Sequence, residues 1–104
     1  PGIDSSVAYG AENIPSAMIF ELTLEGEPLT IRGEPFAEGV RVHIPDARAL
    51  SRTGVIAANH PDIEYASIRN LEDGAELELR FVPGREPAYR VELRGLTLRV
   101  ALSP

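Results

Sequence analysis

The run Tyr89-Arg90-Val91-Glu92-Leu93-Arg94-Gly95-Leu96-Thr97-Leu98-Arg99-Val100-Ala101-Leu102 decides the fold. Apolar and polar residues alternate on either side of Arg94-Gly95. Each arm therefore has period two, the mark of a strand with one buried face. Arg94-Gly95 stands where a two-residue hairpin loop would stand. With that loop, Leu93 faces Leu96 and Val91 faces Leu98, so the apolar pairs share one face as register requires. Arg90 would then oppose Arg99, at a cost of roughly a few tenths of a kcal/mol.

The same alternation recurs upstream. Leu77, Leu79 and Phe81 alternate with Glu76, Glu78 and Arg80, and Pro83-Gly84 turns the chain. Two registers of this strand against the 89–94 strand avoid like-charge pairs. One sets Glu78 opposite Arg90, giving a row Glu78–Arg90–Arg99; the other sets Arg80 opposite Glu92. The first leaves surplus positive charge at Arg90 and Arg99, a spot that could hold a carboxylate in bidentate fashion. The alternative is a solvated face of mixed charge.

Further back, Ile63–Arg69 reads as a strand and 70–74 as a turn. Val40, Val42 and Ile44 alternate with Arg41 and His43, and Pro45-Asp46 ends that strand. Met18, Phe20, Leu22 and Leu24 share one face from Ala17 onward, and Gly26-Glu27-Pro28 turns the chain. Leu29–Arg32 reads as a short extended run and Gly33–Gly39 as a loop. Ala47–Leu50 fits an edge strand or a short helical turn, with Val55 and Ile56 anchoring the loop that follows. No segment has a helical period. Residues 1–16 read as a linker or loosely docked arm, with one β domain over 17–102.

One echo spans the chain. Glu21-Leu22-Thr23-Leu24, Gly26, Glu27-Pro28 and Val40-Arg41-Val42 return as Glu78-Leu79-Arg80-Phe81, Gly84, Glu86-Pro87 and Leu98-Arg99-Val100, at offsets of 57, 58, 59 and 58. Two three-stranded meanders would explain it; so would coincidence between turn-rich segments. The expected fold is all-β: a small antiparallel β-sandwich of two three- to four-stranded sheets, pseudo-symmetric if the echo is a repeat.

Composition bounds the chemistry. A chain of 104 residues makes one domain, burying roughly 60–70% of its unfolded surface. Nine Gly and nine Pro suit a turn-rich β protein. The absence of Cys excludes disulfides, thiolate metal sites and thiol catalysis. A net charge of −6 argues against nucleic acid and anionic lipid as partners. No apolar run approaches the ~20 residues of a membrane helix, so no membrane insertion is expected. The start at Pro1 suggests a processed protein or an excised domain.

No nucleophile elbow, P-loop or dinucleotide fingerprint is present. His43 and His60 are the candidate neutral-pH bases, beside Asp46 and Asp62 respectively, but zinc would want three or four ligands. The expected catalytic, metal and cofactor set is therefore none. Phe36 and Tyr65 are the rings most exposed by pattern. Arg41, Arg80, Arg90 and Arg99 occupy outward strand positions and are the candidate ligand-binding residues.

The order Val40-Arg41-Val42-His43-Ile44-Pro45-Asp46-Ala47-Arg48, Ala66-Ser67-Ile68-Arg69, Gly74, Tyr89-Arg90-Val91 and the Leu96–Leu102 strand resembles the AMIN domain, over about residues 17–102. His43-Ile44 departs from the acidic or apolar strand end usual there. The resemblance implies a sandwich of two symmetric sheets. It also implies a non-catalytic module of a periplasmic or envelope protein that binds peptidoglycan and places its parent. Two alternatives stand beside it: a spacer domain, or an interaction module for an envelope protein, docking at a strand edge formed by Leu29–Arg32 or Ile63–Arg69.

Overall fold

A computed structural model describes residues 7–11, 14–15, 17–50, 54–55 and 61–103. The candidate base His60 and the loop anchor Ile56 lie outside the described residues. Ten strands follow one another: β1 (Ala8–Gly10), β2 (Met18–Gly26), β3 (Arg32–Phe36), β4 (Gly39–Pro45), β5 (Ala47–Ala49), β6 (Gly54–Val55), β7 (Ile63–Leu71), β8 (Gly74–Phe81), β9 (Tyr89–Arg94) and β10 (Thr97–Leu102). They form two antiparallel sheets, in the orders β1-β9-β10-β2-β5 and β3-β4-β8-β7-β6. The short strands β1, β5 and β6 carry each sheet to five, beyond the three or four expected. None of the described residues forms a helix long and apolar enough to cross a membrane.

The alternating apolar residues fill the space between the layers. Leu22 and Leu24 of β2, Val40, Val42 and Ile44 of β4, Leu77 and Leu79 of β8, Val91 of β9, and Leu98, Val100 and Leu102 of β10 are all buried. This is the inward face that period two assigned to each strand.

The sequence echo is a structural repeat, but not of two self-contained meanders. β3 and β4 pair with Gly33 opposite Val42, and β9 and β10 pair with Val91 opposite Val100. The two hairpins thus share one register, 58 positions apart. β4 continues the ladder with β8, Val42 facing Leu77, while β10 continues it with β2, Val100 facing Phe20. Each half therefore lends its first strand to the other half's sheet. Segments 27–31 and 82–88 cross the roughly 10 Å between layers instead of closing tight hairpins. The row Glu78–Arg90–Arg99 is accordingly not formed, because β8 and β9 lie in different sheets.

The last hairpin also differs from expectation. Arg94 opposes Thr97, Leu93 opposes Leu98 and Arg99 opposes Glu92. The loop is Gly95-Leu96, with φ of 61° at Gly95, and glycine at the first central position suits a type II′ turn. Moving the loop by one residue shifts the partners by two. Faces are preserved, and an Arg–Arg opposition becomes Arg–Glu.

Other expectations are revised as well. Gly33–Gly39 is mostly strand, with only Ala37 and Glu38 in the turn. Pro35 is tolerated because β3 is an edge. Gly33 serves packing: a Cβ there would lie 2.4 Å from the Tyr9 ring. Leu29 is 78% exposed and lies outside any strand. Ile63–Arg69 falls in β7, which carries β6 beside Ser67 and Ile68. Ala47–Ala49 takes the edge-strand option. Asp46, at φ 61°, is the corner where the chain passes from β4 in one sheet to β5 in the other; aspartate tolerates this left-handed region better than most residues. Asn70 ties that corner down from the opposite sheet, its Oδ1 accepting the Ala49 N–H at 2.7 Å.

Tyr9 of β1 and Tyr89 of β9 stack at 6.3 Å, with Phe81 5.6 Å from Tyr89. Burial, then the neighbouring Tyr9 and Glu86, pushes the Tyr89 phenol up to about 12. A raised folded pKa stabilises below the unfolded value and is lost as pH climbs through the folded one. Alkaline difference spectra should show a phenol ionising near pH 12, and Tyr89→Phe should remove that step. At Gly39, a Cβ would meet the Leu79 carbonyl oxygen at 1.9 Å. Gly39→Ala should therefore lower the urea midpoint more than Gly95→Ala, whose cost is about 1–2 kcal/mol of left-handed backbone.

Candidate functional site

The structure divides the four candidate arginines between opposite outer faces. Arg41 and Arg80 stand on the β3-β4-β8-β7-β6 sheet, Arg90 and Arg99 on the other. They form no single patch.

On the first of these faces, cross-strand partners line up in rows, as outward neighbours must. Arg32, His43, Glu76 and Arg69 make one row; Glu34, Arg41, Glu78 and Ser67 the next; Phe36, Gly39, Arg80 and Tyr65 the third. Glu78 is the centre of the face. Its side chain is only 13% exposed and accepts from Arg41 Nε at 3.3 Å and Arg80 Nε at 2.6 Å. Glu76 takes Arg69 Nε and Nη2 at 3.0 and 2.6 Å. Burial pushes the Glu78 carboxyl up, but Arg80 and Arg41 together outweigh it and hold the group below its ordinary value.

The two rings named from the sequence meet these arginines. The Arg41 guanidinium lies 4.5 Å from the Phe36 centroid, and that of Arg80 lies 5.7 Å from the Tyr65 centroid, both within cation–π range. Tyr65 shares the regular β7–β8 register of Ala66 to Leu71 and so faces outward with Ser67 and Arg69. The register shift between Ile63 and Tyr65 acts on Ile63 instead: it sets Ile63 opposite Phe81, where Glu64 would otherwise stand, and packs it against the core. Bulges commonly re-aim a side chain in this way. Arg80, Tyr65, Ser67, Arg69 and Glu78 line a shallow depression of about 350 Å³.

The opposite face repeats the central row. Glu92, Arg99 and Glu21 are cross-strand neighbours, the counterparts of Glu34, Arg41 and Glu78. Here Glu92 is engaged by Arg90 Nε at 3.3 Å and Arg94 Nη2 at 3.4 Å. Arg90 also donates through Nη1 to the Ala11 carbonyl at 2.9 Å.

Charge is therefore distributed unevenly. Among the described residues, eight of the ten arginines and seven of the sixteen acids lie in strands. Most other described acids, including Glu27, Glu38, Asp46, Glu72, Asp73 and Glu86, lie in turns and connections. In a chain of net charge −6, the described strands of one sheet thus carry four arginines and four acids and those of the other four and three, with the acidic excess in the connections.

His43 is not paired with Asp46 as its spacing suggested. Its Nε2 lies 3.6 Å from Asp73 Oδ2 in the β7–β8 turn, a carboxylate 77% exposed. Among the described residues, no group of three or more His, Cys, Asp or Glu is placed to hold a metal ion. Sequence reasoning missed Glu78 as the bridge between two arginines, and Arg94 as a neighbour of Arg90 and Arg99. The repeat offset carried the signal for the first: Glu21 and Glu78 hold equivalent positions beside Arg99 and Arg41.

A depressed carboxylate stabilises above its unfolded pKa, and the effect is lost as pH falls through the folded one. Glu78→Gln should lower thermal stability at neutral pH and flatten the loss of stability below about pH 4.3, as read from melting temperatures across an acid series. The chain matches no protein-family model, and neither a curated protein nor a solved structure matches it.

Proposed function

We propose that the chain is a non-catalytic targeting module of a bacterial envelope protein, and that it binds peptidoglycan through the face bearing Arg41 and Arg80. The AMIN resemblance suggests this reading, and the symmetric two-sheet architecture agrees with it. One observation carries the site: Tyr65 faces outward beside Arg80, on the row that ends at Phe36. Two rings at the outer strands of a row three inter-strand steps wide, about 14 Å apart, flank the arginines. Rings of this kind pack against the apolar faces of sugars. Guanidinium groups take the carboxylates of stem peptides in bidentate fashion. Gly39, between the rings, leaves the row low enough for a glycan to lie across it. The module would act in the periplasm and needs no cofactor.

Co-sedimentation with purified sacculi tests this. The protein should pellet at low salt and be released as salt rises. Arg80→Ala and Tyr65→Ala should each weaken binding about fivefold, the loss of roughly 1 kcal/mol in one charge-assisted or ring contact. Arg48→Ala, on the opposite sheet, should leave it unchanged. Wild-type protein that stays in the supernatant at low salt would end the proposal.

A further inference from the structure

The two symmetry-related central rows differ in one respect that matters for binding. On the face already described, Arg41 is held by Glu78. On the opposite face, Glu92 is shared by Arg90 and Arg94. Arg99, its register neighbour, forms no ion pair within 4 Å among the described residues, although Glu21 and Glu92 flank it across the strands. Three guanidinium groups thus surround one carboxylate.

These arginines line a shallow groove of about 260 Å³, with Ile14, Ile19 and Ala101 along its apolar side. Ile19, Ala101 and Arg90 form one row, next to the row of Arg99. Ile19 is 46% exposed, an unusual position for a large aliphatic residue on a strand whose other outward residues, Glu21, Thr23 and Glu25, are polar. The counterpart row on the other face is Glu76, His43 and Arg32, so the apolar character belongs to this face alone.

We propose that this groove is a second binding site, taking the free α-carboxylate of a peptide that ends in alanine or a residue of similar size. Arg99 supplies the bidentate donor pair. Arg90 and Arg94 add positive potential. Ile19 and Ala101 meet the terminal methyl group. The chemistry selects a monoanion, because Glu92 and Glu21, the two cross-strand neighbours of Arg99, repel a second negative charge. It selects a small group, because the groove falls below the roughly 300–1,000 Å³ of ordinary small-molecule sites. The site lies on the sheet opposite Arg80 and Tyr65 and does not depend on peptidoglycan binding there. With both sites the domain would have two valences.

Amide-resolved NMR titration of the whole chain tests this with three probes: acetyl-alanyl-alanine, its C-terminal amide, and acetate. The free acid should bind with a dissociation constant on the order of 1 mM and shift the amides of Ile19, Arg99 and Ala101. The amide probe should give no shift at these positions, and acetate should bind about tenfold more weakly. Arg99→Gln should abolish the response with the spectrum otherwise intact, while Arg48→Gln on the same sheet should preserve it. Equal binding of acid and amide, equal binding of acetate and peptide, or an undiminished response in Arg99→Gln would each overturn the proposal. So would shifts confined to the Arg41 and Arg80 face. Because these readouts map to separate sheets, failure here leaves the sacculus result standing, and the reverse.

Discussion

Register is the constraint on which every other feature of this molecule depends. A slip of one residue between β10 and either neighbour would carry Leu98 and Val100 outward and bring Arg99 into the layer between the sheets. Burial of a leucine or valine is worth about 1.5–3 kcal/mol, and a buried unpaired guanidinium costs several more. Slips by one are therefore closed to the chain. Slips by two keep all faces intact, and only turn geometry and cross-strand charge separate them, at about 0.2–1 kcal/mol per pair. The observed β9–β10 register settles both small terms together. It places Gly95 where φ is positive and Glu92 opposite Arg99.

This hierarchy explains what could be read from the residues and what could not. Period two assigned the inward faces of β2, β4, β8, β9 and β10, because strong hydrophobic terms fix them. It assigned Arg41, Arg80, Arg90 and Arg99 to outward positions for the same reason. Partner identity was less legible, since it rests on the weak terms. Placement of the loop at Arg94-Gly95 followed from even alternation, whereas a glycine at the first turn position required it one residue later. β3 was hidden because Gly33 and Pro35 signal a turn. Here one accommodates the Tyr9 ring and the other sits on a sheet edge. The exchange of β2 and β8 between halves was invisible for a different reason. A local pattern states which face of a strand is buried, not which layer receives it.

The proposed binding role rests on the same geometry. Bulk charge pointed away from anionic partners, yet the acids collect in turns while the arginines occupy the pleated surfaces. Each outer face repeats a Glu–Arg–Glu row, and the halves differ around it. One row is neutralised by Glu78 and flanked by Phe36 and Tyr65. The other leaves Arg99 beside an aliphatic strip. A repeated scaffold thus holds one electrostatic motif in two settings, and the neighbours of that motif, not the motif itself, distinguish the two faces.

The exchanged first strand has a consequence for biosynthesis. Leu22 and Leu98 are direct ladder neighbours but lie 76 positions apart in the chain. As the polypeptide emerges from the ribosome, β2 leaves the exit tunnel long before the strand it must join. Among the described residues its only other ladder is three residues of β5. Pairings between such distant segments form slowly, since a large loop must close before any contact rewards it. The nascent first half is thus an open, unsealed layer with apolar side chains facing water. Acquisition of native structure is deferred until the second half arrives, in one concerted step that neither half can complete alone.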